Sequence, residues 1–159
     1  MRLEFFSESP KQTKKLAEIF IRQLSKLNQP LVLALTGNLG AGKTCFVQGL
    51  ARALKIKDRV SSPTFVVMKS FLIPGGRKKS HSAKATRDKR FFWHIDCWRL
   101  EQADFEYLGL KEILKNNENI VCLEWAEKVK KLLPKNALWI KFEHLGGDKR
   151  KITIGKISK

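Results

Sequence analysis

One segment constrains the fold of this chain more than any other. Residues 37–44, GNLGAGKT, match G-x-x-x-x-G-K-[ST] at every defined position. The preceding residues 31–35 are continuously apolar, which is typical of a strand covered on both faces. Residues 44–54 have the apolar periodicity of a helix. A buried strand, a glycine-rich turn and a helix in this order predict a phosphate-binding loop; a glycine-rich turn that serves packing alone is the alternative.

Each residue type in this loop has a physical task. Glycines let the backbone curl so that several N–H groups converge on the phosphates. The start of the following helix adds its positive end at the same point. The Lys43 ammonium group is predicted to reach the β- and γ-phosphates, and the Thr44 hydroxyl to bind Mg²⁺. The predicted phosphate-binding residues are Gly37, Asn38, Leu39, Gly40, Ala41, Gly42, Lys43 and Thr44.

The rest of the chain alternates between helical and strand patterns. Helices are predicted over 14–27, 44–54 and 105–114, with one or two further turns over 127–133. Strands are predicted over 31–35, 65–73, 91–95, 120–123, 137–142 and 152–157, the last two as a hairpin. This order predicts an α/β fold of the P-loop NTPase-like kind, with a mainly parallel sheet flanked by helices and with antiparallel additions. Residues 1–159 are predicted to form a single domain.

Two of the predicted strands end in a carboxylate. Glu124 follows residues 120–123, and Asp96 follows residues 91–95. Because ligands of open α/β sheets bind outside the C-terminal ends of the strands, we expect both carboxylates near the phosphate-binding loop. Glu124 is predicted to hold Mg²⁺ with Thr44, directly or through water, and Asp96 to lie behind it or to position the attacking water. The reverse assignment stays open at this point.

Two weaker features lie around these motifs. Ser62 and Thr64 flank a proline before a predicted strand, where P-loop proteins carry a loop that senses the γ-phosphate. A plain turn is the alternative for that segment. His94 stands two residues before Asp96, so the two side chains are expected on one face of the strand. A lone strand histidine is usually a packing residue, and we expect that role for His94.

Positive charge is concentrated in three segments. Residues 74–90, 128–135 and 146–159 carry net charges of +6, +4 and +4, most of the formal +17 of the chain. Such clustering suggests a polyanionic partner, for which phosphate neutralisation supplies the affinity. No aromatic residue interleaves residues 74–90, as a base-stacking platform would require. Solvated lysine-rich surfaces are the alternative, and both interpretations stay open.

Cysteine usage and hydropathy predict a cytoplasmic protein. Cys45, Cys97 and Cys122 form no C-x-x-C pair and are odd in number, which argues against a disulfide scaffold and a structural zinc site. The longest apolar runs are about five residues, against the roughly 20 that a membrane-spanning helix needs. The first ten residues show no secretory signal.

Four motifs, GNLGAGKT, SSPTF, HIDCWRL and LEWAE, resemble the bacterial TsaE family in their order and spacing. The resemblance covers roughly residues 10–157. It implies a P-loop ATPase that uses ATP and Mg²⁺ and is needed for threonylcarbamoyladenosine (t6A) modification of tRNA at adenosine 37. It implies a TsaB–TsaD pair as partner and slow hydrolysis by the chain alone. We expect the chain to contact tRNA only as part of that complex, with residues 74–90 as a candidate contact.

The resemblance also implies roles for single residues. Lys43, Asp96 and Glu124 would take part in hydrolysis, and Thr44 and Glu124 would hold the metal. Further nucleotide contacts are implied for Thr13, Cys45, Ser62, Thr64 and Arg150.

Three positions depart from the usual family pattern. Asn38 stands where an aspartate is usual, Cys45 where a threonine is usual, and Trp98 where a tyrosine is usual.

A P-loop kinase of a small acceptor is one alternative function. An RNA-binding module that uses ATP as a structural ligand is another. Product analysis separates the first from an ATPase, because a kinase yields a phosphorylated acceptor instead of free phosphate.

Overall fold

The computed structural model describes residues 2–24, 30–63, 66–75 and 89–155. Several predictions fall partly or wholly outside these residues. They concern the end of the first helix, Thr64, most of the basic segment 74–90 and the end of the last strand. For these segments the sequence-based expectations stay predictions.

The described residues form seven strands, four α-helices and one 3-10 helical segment. The strands are β1 (Arg2–Ser7), β2 (Leu31–Thr36), β3 (Met68–Leu72), β4 (Phe91–Asp96), β5 (Ile120–Glu124), β6 (Leu138–His144) and β7 (Arg150–Gly155). The helices are α1 (Pro10–Leu24), α2 (Lys43–Ala53), α3 (Gln102–Tyr107) and α4 (Leu110–Lys115), and the 3-10 segment is Ala126–Leu132. No helix within these ranges is long and apolar enough to cross a membrane.

All seven strands belong to one sheet, in the order β1-β7-β6-β2-β5-β4-β3. The four central strands, β6, β2, β5 and β4, run parallel. At one edge β7 pairs antiparallel with β6 and with β1, and at the other edge β3 pairs antiparallel with β4. The structure thus confirms the predicted α/β fold with its parallel centre, and it confirms the C-terminal β6–β7 hairpin.

The continuous apolar sequence of β2 is explained by two separate cores. Leu31, Leu33 and Leu35 pack into the cluster beneath α1 and α2. Val32 and Ala34 face the other side of the sheet, where they join the cluster beneath α3, α4 and the 3-10 segment. A strand whose alternate residues enter two cores needs apolar side chains at every position. This burial fixes the end of β2 at the centre of the sheet.

The prediction missed strand β1. Its residues pair antiparallel with β7, from Arg2 opposite Gly155 to Ser7 opposite Arg150. Phe5 packs against the core, whereas Phe6 is 69% exposed. An edge strand buries only one face, so its hydrophobic signal is half that of β2. The pairing is nevertheless important for the site, because it brings Ser7 and the start of α1 to the edge where β2 ends.

The single helix predicted over 105–114 is wrong. Gly109 has φ +64°, a left-handed conformation that separates α3 from α4. Leu110 and Leu114, one turn apart, then bury their side chains on the sheet. The helical turns predicted over 127–133 are present as the 3-10 segment, which precedes Pro134.

Candidate functional site

Lys43, Thr44, Asp96 and Glu124, the central residues of the predicted site, lie at one edge of the sheet. In the parallel centre, Glu124 at the end of β5 pairs in register with Leu35 of β2 on one side and Asp96 of β4 on the other. The loop of residues 37–44 therefore begins directly beside both carboxylates. The crossovers required by parallel strands produce this convergence, because they bring every strand back in the same direction.

The loop conformation requires glycine at its ends. Gly37 and Gly42 have φ values of +131° and +103°, which side chains of L-residues rarely adopt. A Cβ at Gly37 would collide with the carbonyl oxygen of Phe142, and one at Gly42 would lie 2.8 Å from Nη1 of Arg150. Helix α2 begins at Lys43 with no side-chain cap and no acidic residue in its first turn. Its first N–H groups and its positive dipole end are therefore available to an anion.

Lys43 is buried at the centre of this loop and is 4% exposed. Its Nζ donates hydrogen bonds to the carbonyl oxygens of Gly37 (2.6 Å) and Asn38 (3.0 Å). The same nitrogen lies 3.7 Å from the centre of the Trp125 ring. Burial lowers the pKa of Lys43 from its usual 10.5, because it removes the ammonium group from water, and the charge of Glu124 opposes this shift most strongly.

Thr44 and Glu124 are joined directly. The Thr44 hydroxyl donates to the Glu124 carboxylate, at 2.9 Å from Oε1 and 3.1 Å from Oε2. Nε2 of His94 lies 2.8 Å from the same Oε1. Glu124 is 3% exposed, and a carboxylate buried to this extent needs hydrogen-bond donors around it. Two elements supply them: α2 through Thr44 and β4 through His94.

The side chains of Thr44 and Glu124 carry oxygen atoms of the kind that bind a magnesium ion. Mg²⁺ prefers oxygen ligands and usually takes one or two from the protein, with waters and phosphate oxygens as the others. Because the Thr44 hydroxyl directs its hydrogen to Glu124, the lone pairs of Oγ1 are left for a metal. Thr44 and Glu124 are the described residues that would hold it, and their role as metal ligands stays a prediction.

Asp96 has a different set of partners. Its Oδ1 accepts a hydrogen bond from the backbone N–H of Trp98 at 2.9 Å. Its Oδ2 lies 3.3 Å from the hydroxyl of Ser62, which donates to it. Asp96 is thereby linked to the segment that contains Ser62, whereas Glu124 is linked to helix α2. The structure thus gives the two predicted carboxylates distinct surroundings.

The remaining predicted contacts lie on the β1–β7 side of the loop. Arg150 is buried against Gly42, and its Nη2 donates to the Asp148 carbonyl oxygen at 3.0 Å. The Thr13 hydroxyl is fully buried and lies 2.8 Å from that of Ser7. The Cys45 thiol donates to the Pro10 carbonyl oxygen at 3.3 Å. Thr13 and Cys45 therefore use their side chains to attach the start of α1, and nucleotide contacts by them stay a prediction.

Sequence reasoning missed two members of the site. His94, expected to be a packing residue, binds Glu124, and its two-residue spacing from Asp96 was the available signal. Trp125, which was not among the predicted site residues, is partly buried at the rim of the core, with its ring beside the Lys43 ammonium group and 4.5 Å from the ring of Trp98. Its position directly after Glu124 was the signal there.

The fold and this edge of the sheet define a P-loop-like α/β protein. The chain belongs to the TsaE family, since the family model described as threonylcarbamoyl adenosine biosynthesis protein TsaE matches residues 7–152. This finding confirms the resemblance drawn from the four motifs.

Curated relatives and a solved structure agree with that membership. The tRNA threonylcarbamoyladenosine biosynthesis protein TsaE of Aquifex aeolicus is 36% identical, over 95% of this chain and 94% of its own. The protein of the same description from Bacillus subtilis is 32% identical, over 96% and 85%. The crystal structure of YdiB from Bacillus subtilis superposes with a TM-score of 0.67 and 25% identity, covering 99% of this chain and 87% of that one.

Proposed function

We propose that this chain binds ATP with Mg²⁺ and hydrolyses it as the ATPase subunit of tRNA t6A modification. Membership of the TsaE family supports the role in threonylcarbamoyladenosine biosynthesis. The observation that carries the ATP–Mg²⁺ part is the Thr44 hydroxyl directed at buried Glu124, at the start of the helix that follows a glycine-rich loop.

Phosphate binding follows from the loop and from Lys43. The N–H groups at the start of α2 would bind the phosphate oxygens, and the glycines at 37, 40 and 42 leave them room to approach. The Lys43 ammonium group would exchange the carbonyl oxygens of Gly37 and Asn38 for phosphate oxygens. This exchange favours phosphate, because a charged acceptor forms the stronger hydrogen bond.

Hydrolysis needs an oriented water and stabilised phosphate charge. Mg²⁺, held by Thr44 and Glu124, would neutralise charge on the phosphates. Asp96 lies on the neighbouring strand, so its carboxylate can accept a hydrogen bond from a water that attacks the γ-phosphate. Its two oxygens accept hydrogen bonds from the Trp98 N–H and the Ser62 hydroxyl. Each oxygen of a carboxylate can accept more than one hydrogen bond, so these contacts hold Asp96 in place and leave it able to orient a water.

The family resemblance implies slow turnover by the chain alone and faster turnover with a partner. It also implies a TsaB–TsaD pair as that partner. The two carboxylates would then divide their roles, with Glu124 on the metal and Asp96 on the water.

The decisive experiment measures ATP hydrolysis with and without the cognate TsaB–TsaD pair. We expect release of free phosphate that rises when the pair is added and is lost in Lys43→Ala. Phosphate found on an acceptor molecule would instead identify a kinase. No turnover under either condition, with ATP still bound, would reject the ATPase role and leave ATP as a structural ligand.

A further inference from the structure

A buried histidine supports the metal-binding carboxylate from the next strand. His94 and Glu124 lie on the adjacent parallel strands β4 and β5, on the face that packs beneath α2. They are 0% and 3% exposed, and the Nε2–Oε1 distance is 2.8 Å. The other ring nitrogen, Nδ1, is buried and has no hydrogen-bond partner among the described residues.

The surroundings assign the direction of this hydrogen bond. The carboxylate of Glu124 can only accept, so its contact with Nε2 requires a hydrogen on that nitrogen. A hydrogen on Nδ1 would be buried without an acceptor, which is costly. The neutral ring with its hydrogen on Nε2 satisfies both conditions. His94 therefore donates to Oε1 of Glu124.

We propose that His94 is a positioning residue that directs the Glu124 carboxylate towards Thr44 and so sets the affinity for the metal–nucleotide pair. A glutamate side chain has three torsions, and the Thr44 hydroxyl must accommodate the metal when it binds. The contact from His94 is held by the sheet, since His94 pairs in register with Cys122. Hydrogen-bond partners behind a metal ligand commonly act in this way. The proposal rests on the proposed function, because it assumes that Glu124 serves Mg²⁺.

A packing role for His94 predicts different behaviour from a positioning role. Loss of packing would lower stability and would affect nucleotide binding equally with and without Mg²⁺. Loss of positioning would remove the gain in affinity that Mg²⁺ provides and leave metal-free binding unchanged. The ratio of the two dissociation constants for ATP, in EDTA and in Mg²⁺, therefore separates these roles.

The experiment compares His94→Leu, His94→Gln and the control Phe92→Leu in the full chain. Phe92 is fully buried on the same face of β4, so its substitution removes packing without touching Glu124. We expect His94→Leu to reduce the Mg²⁺-dependent gain in ATP affinity by about 10- to 100-fold. His94→Gln should retain most of the gain, because its amide nitrogen can donate from a similar position. Phe92→Leu should lower the Tm and keep the full gain.

An unchanged gain in folded His94→Leu would overturn the proposal while leaving the proposed function intact. A wild-type chain without any Mg²⁺-dependent gain would instead refute the proposed function. If His94→Leu does not fold, the ¹⁵N chemical shifts of the His94 ring in the wild-type protein provide the test. We expect a hydrogen on Nε2, and a hydrogen found on Nδ1 would overturn the proposal.

Discussion

The ammonium group of Lys43 lies 3.7 Å from the centre of the Trp125 ring, although the two residues belong to different crossovers of the sheet. A cation over an indole face is stabilised by about 0.5–2 kcal/mol, more when water is excluded. Lys43 also donates to two carbonyl oxygens of its own loop. These contacts hold Lys43 in place, and under the proposed function phosphate oxygens would replace them.

Trp125 is therefore expected to report nucleotide binding. When Lys43 turns to the phosphates, the Trp125 ring loses its neighbouring charge, and its fluorescence should change. Titration of the wild-type protein with ATP should show this change, and Trp125→Phe should abolish it. Trp139→Phe is the matched control, because Trp139 is partly buried against the core beneath α3 and α4, and it should keep the signal. An equal signal in all three proteins would contradict the Lys43–Trp125 relationship.

Replacement of Lys43 itself should remove ATP binding. Lys43→Ala deletes the main counter-charge for the β- and γ-phosphates, and calorimetry in Mg²⁺ measures the loss. Lys141→Ala is the control, because it removes an exposed charge that is paired with Glu143. A change in affinity of less than about threefold for Lys43→Ala, under ~0.7 kcal/mol, would show that residues 37–44 do not bind phosphate.

The lowered pKa of Lys43 predicts a pH dependence. A lysine whose pKa lies below 10.5 loses its charge at a lower pH than its exposed counterparts. Because phosphate binds the charged form, ATP affinity should fall as the pH rises towards 10.5, starting before ordinary lysines titrate. Dissociation constants measured over this interval check the prediction. Affinity that stays constant until the exposed lysines lose their protons would contradict it.

The two carboxylates should respond differently to truncation. Glu124→Ala should weaken Mg²⁺-dependent ATP binding, because Thr44 loses its acceptor and the proposed metal site would lose a ligand. Asp96→Ala should leave binding nearly unchanged and abolish hydrolysis. Binding and turnover measured on both variants decide the assignment. The reverse pattern would exchange the two roles, and the absence of both effects would reject them.

The contact between α1 and α2 predicts an unusual stability change. In a helix, glycine is normally less stable than alanine by about 1 kcal/mol. A Cβ on Gly49 of α2, however, would collide with the backbone carbonyl oxygen of Lys14 in α1. Gly49→Ala should therefore lower the free energy of unfolding, by roughly 1–3 kcal/mol as for other overpacked sites. Urea denaturation measures the change, and an increase in stability would contradict the close approach.

The sequence by itself determined the phosphate-binding-loop pattern, the burial of the central strand and the positions of the two strand-end carboxylates, because each depends on residues that are close together in the chain. The glycines of residues 37–44, the apolar run of β2 and the acids that end β4 and β5 each specify a backbone conformation or a degree of burial. The C-terminal ends of parallel strands lie at one edge of the sheet, so the proximity of Lys43, Glu124 and Asp96 was predictable. Strand β1 was missed, and the helix break at Gly109 was missed too, because an edge strand and a single glycine give weak local signals.

Only the tertiary structure decided which side chains touch. Thr44 and Glu124 stand 80 residues apart, and their hydrogen bond exists because β2 and β5 are adjacent and in register. The same adjacency, between β4 and β5, turns His94 from an expected packing residue into a partner of Glu124. A pattern of residue types records burial and backbone conformation along the chain. Side-chain contacts across strands depend on strand order and register, which are set by the packing of the whole sheet against its helices.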